Sequence, residues 1–250
     1  MALGANFFQG LKILLLTIFF KLNTKFNFFK KNIAYSVKIK YKNKVFFFYP
    51  TDNSDLAVLE EIFYKNEYDF QLKTQPKIIF DLGGNVGLAS IYFKLHFPNS
   101  KIYCFEPDPI TFKKLSDNIK QFKDIEVFNL AISNKTGKLN FYSCPDSSMS
   151  SSILSRDSSV AIEVEGSTLD DFIKKEGITN IDLIKFDVEG VEMEIFKSFK
   201  NLSAVSNLIG EVHLDLMNST LDDFLKLFPD YKKEIKEISK NRRYSVFFFK

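Results

Sequence analysis

No tryptophan occurs among the 250 residues, and only two cysteines and two histidines do. Cys104 and Cys144 stand far apart, with no C-x-x-C or other metal-ligand spacing. That excludes a disulfide framework and a cysteine-based zinc site, and it fits a reducing, cytoplasmic compartment. No apolar run reaches the ~20 residues of a membrane span. The strongest, Leu11–Leu22, contains Lys12 and Lys21. A charged leader and a small-residue cleavage site are also missing, so a secretory signal is not expected. Acids are absent from residues 1–51, which carry nine lysines and hence +9, leaving −6 on the rest of a chain with net charge +3. Such asymmetry suggests an anionic partner or membrane surface near the N-terminal segment. Nucleic acid is not expected, because the remainder is acidic and no recognition motif occurs. No internal repeat is evident. Phe is abundant at 29 residues, beside much Lys, Asn and Ile. This bias reads as coding composition more than selection, so single phenylalanines carry little weight. The length suits one domain with a proper core.

The most informative stretch is Ile78-Ile79-Phe80-Asp81-Leu82-Gly83-Gly84-Asn85-Val86-Gly87, followed later by Phe105-Glu106-Pro107. An apolar strand runs into a glycine turn, a helix opens near Asn85, and a second strand ends on an acid. Glycines let a ligand approach bare backbone, and a helix start points free N–H groups at it. Glu106 stands where an acid accepts hydrogen bonds from a ribose diol. The dinucleotide fingerprint G-x-G-x-x-G is absent, since Asn85 occupies one of its glycine positions. Asp81 would repel a pyrophosphate but favour the cationic amino and sulfonium groups of S-adenosylmethionine. The turn therefore favours a methyl donor over NAD.

Along the chain, Leu11–Leu22 predicts a helix, with Gln9, Thr17, Lys21 and Lys25 as a narrow polar stripe. Two readings stand open: an interfacial helix on anionic lipid at the inner membrane face, or a helix packed on the domain or on a second subunit of a homo-oligomer. Residues 33–40 and 45–49 alternate as a hairpin, and 55–64 as a helix. Then strands at 78–82, 101–106, 125–131, 181–187 and 207–213 alternate with helices at 86–96, 109–122, 168–176, 190–199 and 219–227. A small hairpin is expected near 138–143 and 160–165. Closing strands near 234–239 and 244–249 reverse through Asn241-Arg242 into an antiparallel edge. This pattern predicts an α/β, doubly wound, mostly parallel sheet. Residues 1–70 form a basic helix and hairpin extension, and 71–250 the main domain.

The ordered set DLGGNVG (81–87), FEPD (105–108), NLAIS (129–133), STLDDF (167–172), IKFDVEGVE (184–192) and GEVH (210–213) resembles the FkbM family of S-adenosylmethionine-dependent methyltransferases, over residues 45–215. Gly84 and Val191 are mild departures from the family's usual residues. The resemblance implies a class I, Rossmann-like fold with a seven-stranded sheet. It also implies methylation of a hydroxyl on a sugar or natural product, here a surface polysaccharide or its precursor.

Ligands in open parallel sheets bind beyond the carboxyl ends of the strands. That rim collects Asp81, Gly83, Glu106, Ala131, Asp187, Glu189, Glu211 and His213. Asp81 and Gly83 would hold the methionine end of the donor, Glu106 its ribose, and Asn129 and Ala131 the adenine, with Asn85, Gly87, Pro107 and Asp187 as further donor-binding candidates. An alcohol acceptor must lose a proton, which a positioned base speeds. His213 is the first choice by its unperturbed pKa, with Asp187 second and Glu189 a further catalytic candidate. Glu192 reads as a dipole-complementing acid at a helix start, and His96 as structural. Asp187, Glu189, Glu211 and His213 could also gather a divalent cation, although nothing in their spacing requires one. The serine-rich stretch 147–152 suits a mobile cover. Competing readings are a non-sugar acceptor with a phosphate-derived or nitrogen group, a nicotinamide oxidoreductase, and a membrane-associated scaffold without chemistry.

Overall fold

The computed structural model describes residues 4, 7–26, 35–143, 153, 160–239 and 242–250. The expected cover at 147–152, Cys144 and the Asn241 half of the closing turn lie outside them.

Five strands run parallel: β3 (Ile78–Leu82), β4 (Lys101–Phe105), β5 (Ile125–Phe128), β9 (Ile181–Phe186) and β10 (Val205–His213). They are preceded by α1 (Phe7–Phe26), the hairpin β1 (Val37–Tyr41)/β2 (Lys44–Phe48) and α2 (Asn53–Phe63). Between them lie α3 (Leu88–His96), α4 (Pro109–Ile119), β6 (Ala131–Ile132), β7 (Gly137–Ser143), β8 (Val160–Ser167), α5 (Leu169–Glu176) and α6 (Glu192–Ser198). The chain closes with α7 (Leu221–Leu225), β11 (Lys232–Ser239) and β12 (Arg243–Phe249). The seven-stranded sheet has the order β11-β12-β10-β9-β3-β4-β5, with β12 antiparallel to both β10 and β11. This is the expected doubly wound sheet with an antiparallel C-terminal edge. From β3 the chain first builds outward through β4 and β5, then returns to place β9 on β3's other side. The crevice between β3 and β9 is thus the switch point where such sheets bind ligands.

Period-two alternation divides the sheet's side chains between two cores. Ile79, Ile102, Leu183 and Ile209 face a cluster completed by α2, α3 and the N-terminal segment. Phe80, Phe105, Phe186 and Phe248 face one completed by α5, α6 and α7. The hexapeptide STLDDF occurs twice and performs the same task each time. Thr168 and Thr220 cap α5 and α7 by accepting from the N–H of Asp171 and Asp223. Phe172 and Phe224 are then buried one turn on.

The predicted strand 125–131 is two strands. β5 ends at Phe128, the exposed Asn129 amide donates to the carbonyls of Glu106 and Pro107 (2.9 Å each), and Ala131 opens β6 in a separate three-stranded sheet beside Gly166 of β8. The helix expected from about residue 85 begins at Leu88, because Asn85 (φ 48°) and Gly87 (φ 87°) are both left-handed.

At the N-terminal end, Leu16 and Phe20 of α1 and Val37, Ile39, Phe46 and Phe48 of the hairpin share the first core. The opposite face of α1 leaves Phe8, Leu14, Leu15, Ile18 and Leu22 exposed. Among the expected polar stripe, Gln9 accepts from Lys38 N–H and the Thr17 hydroxyl donates to the Ile13 carbonyl, whereas Lys25's side chain is outside the described set. The outer face of the hairpin sets exposed Lys38 and Lys40 opposite exposed Phe47 and Val45. Among the described residues, no helix is long and apolar enough to cross a membrane.

Candidate functional site

The glycine turn after β3 satisfies its own donors. The N–H groups of Gly83 and Gly84 both reach the Phe105 carbonyl (3.1 and 2.8 Å), Asn85 N–H reaches Glu106 Oε2 (2.9 Å), and Gly87 N–H returns to the Gly84 carbonyl (2.8 Å). Gly83 is held at φ 77°, and a Cβ there would lie 2.0 Å from the Asp187 carbonyl. The turn therefore needs glycine to seat β3 against the end of β9. Beneath it, Asp81 is fully buried in an ion pair with Lys185 (3.0 Å) and accepts from the Ser90 hydroxyl (2.6 Å). Lys185 also donates to the Gly83 carbonyl (2.7 Å), locking the turn to β9. Burial pulls the Lys185 ammonium down, but Asp81 and Asp187 outweigh it and hold it above the ordinary lysine value.

A cavity of about 700 Å³ opens over this turn, within the range of small-molecule sites. Gly83, Gly84, Asn85, Glu106, Pro107 and Ala131 line it, as expected. Three expected donor residues do not. Asp81 lies beneath the turn as the partner of Lys185. Gly87 packs on α4, where a Cβ would meet Ile119 at 3.1 Å. Asn129 turns outward to tie down the Glu106-Pro107 backbone. Glu106 is 6% exposed and accepts from the N–H of Asp108 and Asn85 (both 2.9 Å), which leaves each oxygen a second lone pair. Burial pushes its carboxyl up to about 8 against the pull of those two donors. Asn85 Oδ1, also at the cavity, is buried without a hydrogen-bond partner.

The opposite end of the cavity is acidic. Asp187 follows β9, Glu189 (φ 55°) sits in the turn into α6, and Glu211 and His213 end β10. His213 is 1% exposed. Its Nδ1 is 2.7 Å from Glu192 Oε1, and Nε2 faces Glu211, Asp187 and Glu189 at 3.6, 3.7 and 3.7 Å. Burial lowers the imidazole, but the Glu192 hydrogen bond and the charges of Asp187 and Glu189 raise it to about 9. The unperturbed value that recommends His213 as a base does not hold here: at neutral pH the ring is protonated. Burial, then Asp187 and Glu67, push Glu211 up to about 8.

Glu192 opens α6 as expected, but it is also buried with no exposure, accepts from Gly190 N–H and holds the histidine. His96 stays outside the site, its ring tilted against that of Tyr92 (centroids 4.1 Å apart). Sequence reasoning missed Lys185, Glu67, Tyr68 and Arg243, which all line the cavity. The one visible signal was Lys185, the lone cation of a strand whose only other polar residue is Asp182. Glu67 is pushed up to about 7 by burial and by Asp187.

The family model described as the methyltransferase FkbM domain matches residues 81–237. The chain is similar to 2-O-methyltransferase NoeI of Sinorhizobium fredii, 28% identical over 145 residues covering 52% of this chain and 60% of that protein. It is similar also to hexuronic acid methyltransferase AglP of Haloferax volcanii, 25% identical over 141 residues covering 56% of this chain and 57% of that one. Among solved structures, a methyltransferase FkbM from Methylobacillus flagellatus superposes with a TM-score of 0.51 at 15% identity. That match covers 75% of this chain and 47% of the other, about half its length.

Proposed function

The chain belongs to the FkbM methyltransferase family, and from that premise we propose that it moves a methyl group from S-adenosylmethionine to a hydroxyl of a sugar or similar small polyol. One observation carries the choice of donor. The N–H groups of Gly83, Gly84, Asn85 and Gly87 are consumed internally, which leaves less of the turn to cradle a pyrophosphate, whereas Glu106 and Asn85 Oδ1, which has no hydrogen-bond partner, offer acceptors to a ribose diol and an amine. S-adenosylmethionine, when bound, supplies a methyl carbon on a cationic sulfur: the acceptor oxygen's lone pair forms the O–C bond as the C–S pair leaves onto sulfur.

This chain's residues do the rest. Glu106 grips the ribose, Pro107, Ala131 and Ile132 give an apolar bed for a base, and Lys185 fixes the turn. Alignment and exclusion of water are the main tasks in such a displacement. The acceptor proton goes to the acidic end, to Asp187 or Glu189. That end favours a neutral polyol over an anionic acceptor, because Arg243 is already committed to Asp215 (3.0 Å). AglP, by its name, acts on a hexuronic acid; the neutral-sugar reading for this chain rests on its own acidic rim. The exposed apolar face of α1, with Lys21 and the outward Lys38 and Lys40, suits an anionic membrane surface, where apolar burial and charge attraction add.

Calorimetry with S-adenosylhomocysteine and, separately, NAD tests the donor. Micromolar binding of the first and no heat from the second is expected. A folded protein that binds NAD and not S-adenosylhomocysteine refutes the reading. Transfer of labelled methyl to neutral rather than uronic sugars tests the acceptor.

A further inference from the structure

We propose that Asp187, Glu211 and His213 bind one divalent cation of the magnesium or manganese class at the acceptor end of the cavity. Ligand atoms from the three lie within 4.8 Å of one another. The spacings at His213 Nε2 are 3.6 Å to Glu211 and 3.7 Å to Asp187, too long for hydrogen bonds. Around an ion with ligands at about 2.1 Å, adjacent octahedral positions stand about 3.0 Å apart and opposite ones about 4.2 Å. Both spacings fall between these limits, so an ion fits the gap.

The acids alone would not carry this inference; the histidine does. His213 is 1% exposed, and its Nδ1 is anchored at 2.7 Å by the buried carboxylate of Glu192. That bond turns Nε2 into the acidic cluster, where no described group reaches hydrogen-bond distance. A histidine held through one nitrogen by a carboxylate, with the other aimed at an open position, is the arrangement that orients metal-bound imidazoles. Asp187 Oδ1, on the opposite side of the gap, is buried with no hydrogen-bond partner. Charge points the same way. Asp187, Glu189, Glu192 and Glu211 crowd one ring, while Lys185 and Arg243, which line the same cavity, are paired with Asp81 and Asp215. One imidazole among carboxylates suits a hard ion that accepts nitrogen, which favours manganese within the class.

The ion's use rests on the methyl-transfer reading; its binding does not. An acceptor hydroxyl completing the coordination would release its proton to Glu189, freeing the oxygen pair to form the O–C bond as the C–S pair departs onto sulfur. His213 is then a ligand and not the base.

The test is titration of MnCl2 into the chelator-treated full chain, followed by calorimetry and by loss of the free Mn2+ electron-resonance signal. S-adenosylhomocysteine binding is measured on the same samples. One site with micromolar affinity is expected, weakened at least tenfold in Asp187→Asn and in Glu211→Gln, and unchanged in Glu163→Gln on the distant β8. Circular dichroism identifies folded variants, and either isosteric change alone suffices for the comparison. Wild type that binds S-adenosylhomocysteine but no Mn2+ at millimolar concentration overturns the ion site. So does Mn2+ binding that both variants leave unaltered. Mn2+ binding without S-adenosylhomocysteine binding sinks the donor reading and leaves the ion site standing.

Discussion

Glu106→Gln should make the protein more stable at high pH while weakening its hold on the donor. Burial raises this carboxyl from 4.5 to about 8. Because the folded value is the higher one, its contribution to stability is full below pH 4.5 and is lost as pH rises to and through 8. The distance between the two values corresponds to a ceiling of about 5 kcal/mol. Glutamine cannot ionise, so it escapes that loss. It does forfeit one of the two backbone N–H bonds from Asn85 and Asp108, at a cost of about 1 kcal/mol. The variant should therefore be within about 1 kcal/mol of wild type at pH 5 and more stable by roughly 2 kcal/mol or more at pH 8.5. Urea unfolding of both proteins at the two pH values reads this directly, since every other titration is shared and cancels in the difference. Binding of S-adenosylhomocysteine should fall by roughly 3–10-fold, the worth of one hydrogen bond to a ribose hydroxyl. A stability difference that does not change with pH, or unaltered binding, would refute the reasoning.

Gly83→Ala should abolish donor binding and lower the melting temperature, because a Cβ there meets the Asp187 carbonyl at 2.0 Å. Gly177→Ala, equally left-handed but with nothing within 4 Å, should cost only about 1–2 kcal/mol and leave binding intact; equal effects at both would show that the seating of β3 on β9 is unimportant. Lys185→Met leaves Asp81 buried without its cation and should cost about 3–5 kcal/mol. Adding Asp81→Asn should recover part of that loss in denaturant unfolding, and a double variant no better than the single would count against the pair. Leu15→Glu with Ile18→Glu should reduce co-sedimentation with anionic phosphatidylglycerol vesicles at least tenfold, without altering donor binding. Wild type that stays in the supernatant would remove the membrane contact.

Much of the fold was legible because it is written in local rules. The strand–helix alternation, the glycine turn, the acid ending β4 and the two threonine-capped STLDDF starts all act through neighbours within a few residues. What escaped depends on partners far along the chain. The break between β5 and β6 follows from the Asn129 amide reaching back to Glu106 and Pro107, which periodicity does not register. Glu192 satisfies the helix-dipole rule on paper, yet its partner is a histidine on β10. Glu67 lies in an irregular segment with no pattern, and only the closing of α2 over the sheet brings it to Asp187. The glycine turn itself was read correctly as close-packed, but the N–H groups of Gly83, Gly84 and Asn85 are spent on Phe105 and Glu106, bonds that cross to another strand and that no local pattern registers.

The acidic end also raises a problem that its own geometry answers. Transfer destroys the positive charge on sulfur, so any bare carboxylate nearby holds the starting state more firmly than the transition state, the reverse of what catalysis needs. At an effective dielectric of 20, a carboxylate about 6 Å from the sulfonium favours the ground state by about 3 kcal/mol, or roughly a hundredfold in rate. A methyltransferase with several such acids facing its donor must neutralise them. Lys185 does so for Asp81, but its ammonium stays tied to that buried partner and the Gly83 carbonyl. At the rim, burial raises the Glu211 carboxyl, and the Glu192 hydrogen bond and the neighbouring acids raise the His213 imidazole against its own burial. The divalent cation proposed between Asp187, Glu211 and His213 would answer this by cancelling charge that otherwise holds the sulfonium in its starting state.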